Sequence, residues 1–199
     1  MSISTILCNT IAVQKQKEEG KNIWENSKWK DIATLENNNV GIVGERFIQQ
    51  LCDASGIEAV IDGATTKEVG GGDGDGKIKG CTVEIKCARQ SVGKSKSFQH
   101  ELGEKPWNAQ YMCFLDIAPV GFYLTIFPNL TEEEYKSNNK CVYFPTRSIC
   151  WRKKSGAFKF DTTVALNTTQ AAVETPNTLI WTDTTQISEI ADFINRIIK

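Results

Sequence analysis

The 199-residue sequence predicts an α/β fold, a central mixed β-sheet flanked by helices, on three observations. Tyr111–Ile117 and Phe122–Phe127 are β-prone and apolar almost throughout, separated by Ala118-Pro119-Val120-Gly121. That pattern predicts a hairpin of inner strands buried on both faces, as in a helix-flanked sheet. Val43, Phe47, Ile48, Leu51 and Cys52 recur at helical spacing, and so do Ile187, Ile190, Ala191, Ile194, Ile197 and Ile198. Each set predicts a helix with one apolar face, the second capped by threonine and serving as a core-packing or a dimer helix, of which core packing is the more economical.

Length and composition fit one domain. Residues 1–39 form an N-terminal arm, 40–130 the core, and 131–199 the C-terminal strands and helix. No apolar run has the length of a membrane span, and Met1-Ser2-Ile3-Ser4-Thr5-Ile6-Leu7-Cys8 lacks the charged lead of a signal peptide, so a cytoplasmic protein with no membrane partner is expected. The seven cysteines include no C-x-x-C pair and the chain has one histidine, which argues against structural zinc and for reduced, buried thiols.

A net charge of −1 excludes an indiscriminate nucleic-acid coat, which needs many cations to displace counterions. The distribution is more informative. Lys77, Lys79, Lys86, Arg89, Lys94 and Lys96 are offset only by Glu84, and Arg147, Arg152, Lys153, Lys154 and Lys159 by no acid at all. These two stretches are candidates to line a DNA groove, with Lys94, Lys96, Arg147, Arg152, Lys153 and Lys154 as the contacts; the bland reading of either is a solvated face.

In chain order, Gln14 to Asn39 is polar with Trp24 and Trp29 as its large anchors, a helical or partly irregular arm. A dimer contact, a DNA contact or a cover for the core all remain open for it. At about 100° per residue, Glu45 falls at the edge of the first helix's apolar stripe, near the direction of Cys52, and Gly56 ends that helix. Glu58–Ile61 is a short strand. Ser91–Ser97 reads as a flexible loop, and Phe98–Leu102 as a short helix. A lone histidine is more often structural than catalytic, so His100 receives no role. Thr131 with Glu132, Glu133 and Glu134 starts a helix, Cys141–Pro145 is a strand, and 147–160 is a basic hairpin turning at Ser155-Gly156.

Between these elements lies Gly70-Gly71-Gly72-Asp73-Gly74-Asp75-Gly76-Lys77-Ile78-Lys79-Gly80-Cys81-Thr82-Val83-Glu84-Ile85-Lys86. Side chains alternate along a strand, so Glu84 and Lys86 share one face and Val83 and Ile85 the other. A two-residue turn at Lys79-Gly80 pairs Ile78 with Cys81, Lys77 with Thr82, Gly76 with Val83 and Asp75 with Glu84. Two carboxylates then oppose each other, which repels unless a divalent cation turns repulsion into coordination; Asp75 ranks above Asp73 for that reason. A Walker phosphate loop is disfavoured because Ile78 stands where a hydroxyl should bind magnesium. An EF-hand is disfavoured by Lys77 and Ile78 at its fifth and sixth positions. The bland alternative is a Gly/Asp turn between ordinary strands.

Asp75 followed by Glu84-Ile85-Lys86 resembles the D…(D/E)xK signature of the PD-(D/E)xK nuclease superfamily, and among its members most resembles a type II restriction endonuclease. This copy lacks the proline of the family's name. The resemblance implies a restriction-endonuclease-like core in which Gly44-Glu45 is the helix glutamate that joins the metal site. It implies catalytic Asp75, Glu84 and Lys86, and Mg²⁺, with Mn²⁺ as substitute, held by Asp75 and Glu84 and supported by Glu45 and Asp73. It implies a homodimer hydrolysing phosphodiester bonds in double-stranded DNA. Gln110 resembles a glutamine that follows the E-x-K strand in some exonuclease branches. A structure-selective junction or repair nuclease of the same superfamily is the alternative, and a non-catalytic DNA-binding module retaining the fold is a third reading.

Overall fold

In the computed structural model the two apolar runs pair as a hairpin inside a six-stranded mixed sheet. The structure describes residues 2–18, 22–62, 73–91, 97–101, 108–131, 133, 148–152, 157–163, 177–182 and 184–199. Three α-helices are seen among them: α1 (Ile3–Glu18), α2 (Asn37–Ser55) and α3 (Ile187–Ile197). The strands are β1 (Ala59–Ile61), β2 (Gly76–Ile78), β3 (Cys81–Arg89), β4 (Ser97–Glu101), β5 (Tyr111–Ala118), β6 (Gly121–Pro128), β7 (Ser148–Arg152), β8 (Ala157–Thr163) and β9 (Thr178–Trp181).

The main sheet runs β1-β2-β3-β5-β6-β9. Neighbours are antiparallel except β3 and β5, which are parallel, with Glu84 beside Met112 and Lys86 beside Phe114. A second sheet, β4-β8-β7, is antiparallel. The protein is therefore an α/β fold with a mixed sheet and flanking helices.

One face of the main sheet presents Val83 and Ile85, then Cys113, Leu115 and Ile117, then Phe122, Leu124 and Ile126, to Ile48 and Cys52 of α2 and Ile190, Phe193 and Ile194 of α3. Each such side chain contributes about 1.5–3 kcal/mol when fully buried, so this face holds the helices to the sheet. On the other face Phe98 of β4 meets Tyr123 of β6, ring centroids 6.0 Å apart, with Ala118 in the same cluster. Both sides of β5 are covered, as its continuous apolarity predicts.

The first helix lies slightly rotated from the expected stripe. Val40, Gly44, Ile48 and Cys52 are its buried residues, and Val43 is exposed. The reason is Gly44: a β-carbon there would run into the Cβ of Cys87, so its absence lets α2 sit against β3. Phe47 still reaches the core edge-on to Phe122, at 5.2 Å and 88°.

Of the roles left open for the arm, residues 22–36 act as a cover for the core. Trp24 is buried and donates its indole N–H to the Gln90 carbonyl at 3.0 Å; Trp29 donates to the Ala118 carbonyl at 2.8 Å. Arg89 donates to the Leu35 carbonyl at 2.8 Å. These bonds fasten the segment to the ends of β3 and β5. Helix α1, by contrast, is exposed along residues 2–17.

Two local expectations are corrected. Phe98 to Glu101 are not helical: Ser97–Glu101 is a strand paired with β8 from Ser97↔Thr163 to Glu101↔Lys159, and Leu102 lies outside the described residues. A distant partner meets its backbone groups, and the alternation that partner imposes turns Phe98 and His100 inward. The N-cap of α3 is Gln186 rather than a threonine. The Thr185 hydroxyl instead accepts from the Thr182 N–H at 3.1 Å, while the Glu189 carboxylate accepts from the Gln186 N–H at 2.9 Å.

The basic hairpin is present in its backbone register, Arg152 opposite Ala157. Lys94, Lys96, Arg147, Lys153 and Lys154 lie outside the described residues, and so does the Cys141–Pro145 strand. Glu133 is helical; the rest of the acidic helix start after Thr131 lies outside them too. No helix among the described residues is long and apolar enough to cross a membrane.

Candidate functional site

The β2–β3 turn takes the form its residues favour. Lys79 and Gly80 both have positive φ, 53° and 77°, the combination of a two-residue turn that suits strand twist. The resulting register is Ile78↔Cys81, Lys77↔Thr82 and Gly76↔Val83, as expected. The turn is also anchored from outside, because the Lys79 ammonium donates to the Ile198 carbonyl at 2.7 Å.

The ladder ends at Gly76↔Val83, and Asp75 lies just before β2 rather than in a strand pair with Glu84. The Asp75 N–H donates to the Val83 carbonyl at 2.8 Å, and its Oδ2 accepts from the Ile85 N–H at 2.7 Å. The carboxylate thus occupies a place in the β3 ladder and is fixed beside Glu84. The flanking glycines permit this. Gly74 has φ 101°, and a β-carbon there would collide with the Val83 carbonyl; one on Gly76 would collide with the Val60 carbonyl. The glycine run therefore lets the backbone pass between β1 and β3 closely enough to aim Asp75.

Glu84 and Lys86 lie on one face of β3, paired at 2.5 Å, with side-chain exposures of 14% and 34%. Burial raises the Glu84 carboxyl above the ordinary carboxylate range; the Lys86 charge opposes that shift and the Asp75 charge adds to it. The two acids do repel, as the strand pairing anticipates.

Glu45 follows Gly44 on the helix that packs against the Val83–Ile85–Cys87 side of β3, and its Oε2 is buried. Its charge is felt at Cys87, whose thiol is pushed up first by burial, then by Asp116 and Glu45. Asp73 is exposed. The structure thus brings Asp75, Glu84 and Lys86 together. Among the described residues no three His, Cys, Asp or Glu side chains stand close enough together to hold a metal ion.

A two-carboxylate donor set still suits Mg²⁺, which keeps several waters and commonly takes one or two protein carboxylates plus substrate phosphate. The residues present fit such an ion, since both offer hard oxygen ligands and their mutual repulsion falls when a cation lies between them.

Several neighbours were missed or misjudged in the sequence. Asp62 continues the row across β1, its N–H donating to the Asp75 carbonyl at 3.0 Å; its place follows from the β1–β2 register and no motif marks it. Gln110 does not extend toward Glu84: its Oε1 accepts from the Thr82 N–H at 2.9 Å and its own N–H donates to the Thr82 hydroxyl at 3.0 Å. Asp116 is wholly buried on β5 and bonded to His100 at 2.7 Å. One signal was available for it, a lone charge inside an apolar strand, which must find a buried partner.

Cys8, Cys52, Cys81, Cys87 and Cys113 are free thiols. Cys52, Cys87 and Cys113 line the helix-facing core, and burial pushes the Cys52 thiol up to about 11 and raises the other two further. Compared with known proteins, the chain matches no family model, no curated protein and no solved structure.

Proposed function

We propose that this chain is a Mg²⁺-dependent DNA endonuclease of the PD-(D/E)xK type with a restriction-endonuclease-like core, most similar in kind to a type II restriction enzyme. One observation carries the reading: Asp75 is fixed to the Ile85 N–H within electrostatic reach of Glu84, and Lys86 is paired to Glu84 on the same face of β3. The order of α2, β1 and the β2–β3 hairpin supports it, being the order the resemblance implies.

In this reading Asp75 and Glu84 hold Mg²⁺, or Mn²⁺ in its place, and Glu45 and Asp73 enter only as supporting carboxylates. The ion, when bound, supplies Lewis-acid stabilisation of phosphoryl charge and a more acidic water. Lys86 has the chain's own chemical task. Its ammonium, steered by Glu84, donates a hydrogen bond that orients the attacking water toward the scissile phosphate, and its charge favours the anionic phosphate in the site. The main-chain grip on Asp75 keeps that carboxylate from rotating away as charge builds up. Cutting both strands of a symmetric duplex requires two such sites, hence a homodimer on double-stranded DNA.

The test is digestion of a mapped plasmid by the pure chain with Mg²⁺, followed by sequencing of the ends. Discrete fragments, abolished by Lys86→Ala or Glu84→Ala with DNA binding retained, are expected. Robust Mg²⁺-dependent cutting by either variant overturns the assignment.

A further inference from the structure

A buried histidine–carboxylate pair shares the sheet face of Glu84 and Lys86, and the mechanism above leaves it idle. The register sets the neighbours: Lys86 lies beside Phe114 and Ala88 beside Asp116, so Phe114 and Asp116 rise from β5 on the face that bears Lys86. His100 reaches them from β4. Its ring centroid is 4.8 Å from that of Phe114, and its Nε2 is 2.7 Å from Asp116 Oδ1.

The backbone of β4 pairs with β8 and not with the main sheet, so side chains such as Phe98 and His100 seat it there. Apolar side chains of equal volume join two layers at least as stably as a buried charged pair does. What the pair adds is direction. A hydrogen bond fixes where the imidazole stands over Phe114, whereas an apolar contact leaves the ring free to slide.

Resting on the nuclease reading, we propose that His100 and Asp116 are positioning residues for Lys86: their bond pins Phe114 and the β4 layer as the wall beside Lys86 and keeps its amine aligned with Glu84. Neither residue touches the substrate. Loss of the bond loosens the amine and leaves the cations that meet DNA in place, so kcat falls and KM for DNA holds.

The experiment compares the full chain with His100→Phe, His100→Gln, Asp116→Asn and Lys86→Ala in Mg²⁺-dependent plasmid cleavage, with rates scaled to the folded fraction from circular dichroism. His100→Phe keeps an aromatic ring over Phe114 and drops the bond; its kcat is expected to fall about 10- to 100-fold with KM nearly unchanged, the size of effect that slight misplacement produces. His100→Gln, which keeps a side-chain N–H for Asp116, restores most of that loss. Wild-type kcat per folded molecule in both His100→Phe and Asp116→Asn, or a rise in KM alone, overturns the proposal while Lys86→Ala still upholds the nuclease reading. If His100→Phe does not fold, Asp116→Asn decides by the same split. Failure of all three pair variants to fold assigns the pair to the core alone and also overturns the proposal. A wild-type chain that cuts nothing with Mg²⁺ or Mn²⁺ removes the nuclease reading itself.

Discussion

Two pairs of a carboxylate with a basic side chain stand over one face of the main sheet and are built in opposite ways. Glu84 and Lys86 are two residues apart on one strand and keep 14% and 34% of their side-chain surface open. His100 and Asp116 join two sheets and keep 2% and 0%. The open pair adds little to stability, since water screens it and its amine can leave for another partner. The sealed pair is shut off from water, so its bond is neither screened nor exchanged for a solvent partner. Position on a sheet therefore separates a pair open to solvent and substrate from a pair that can act only through the side chains packed around it, although both unite a carboxylate with a basic side chain.

The largest expected effect breaks the open pair. Lys86→Ala should lower the single-turnover rate of plasmid cleavage by about 10²- to 10⁴-fold, the range of a positioned proton-handling group, with little change in thermal midpoint. The next breaks the sealed pair: His100→Ala should cost about 3–5 kcal/mol in urea denaturation, the cost of truncating a buried ring and removing its hydrogen bond to a buried carboxyl. Equal stability losses in the two variants would erase the contrast.

Gly74→Ala tests how the open pair acquires its third member. A β-carbon at φ 101° against the Val83 carbonyl displaces the backbone that aims Asp75, and a shift of this kind should reduce cleavage by about 10²-fold. Measured DNA affinity should change little.

The smallest effect concerns pH. The Glu84 carboxyl is raised by burial, so in the folded chain it holds its proton to higher pH than in the unfolded chain. Unfolding in the window between those two values releases a proton, so Glu84 makes stability fall as pH rises through it. Glu84→Gln should remove that slope and leave the variant relatively more stable above the window, as read from urea midpoints at a series of pH values. A wild-type chain without the extra slope would contradict the burial argument.

Much of the open pair was legible along the chain. Lys79-Gly80 encodes a two-residue turn, the turn fixes the register as far as Gly76↔Val83, and alternation then places Glu84 and Lys86 together. Each step uses residues within about ten positions and backbone rules that hold in any context. Glu45 was harder to place. Its angle on the helix is a local property, but its reach depends on how closely α2 approaches β3, which Gly44 and Cys87 decide between them.

The sealed pair was not legible in this way. His100 and Asp116 are separated by a chain segment whose path no short-range rule specifies, and the helix expected around His100 is a strand because β8, about sixty residues onward, supplies its partner. The Trp24 segment teaches the same lesson, since its indole bond is to Gln90, far along the chain.

By itself, then, the sequence determined the hairpin, its register, the presence of helices over 43–52 and 187–197 and the inner strand pair, because turn chemistry and hydrophobic period act locally. Only the tertiary structure decided which charges stay open to water, which are sealed, and that residues 22–36 close the core. Burial is a property of the packed whole, and the same carboxylate serves as ligand or strut according to what lies over it.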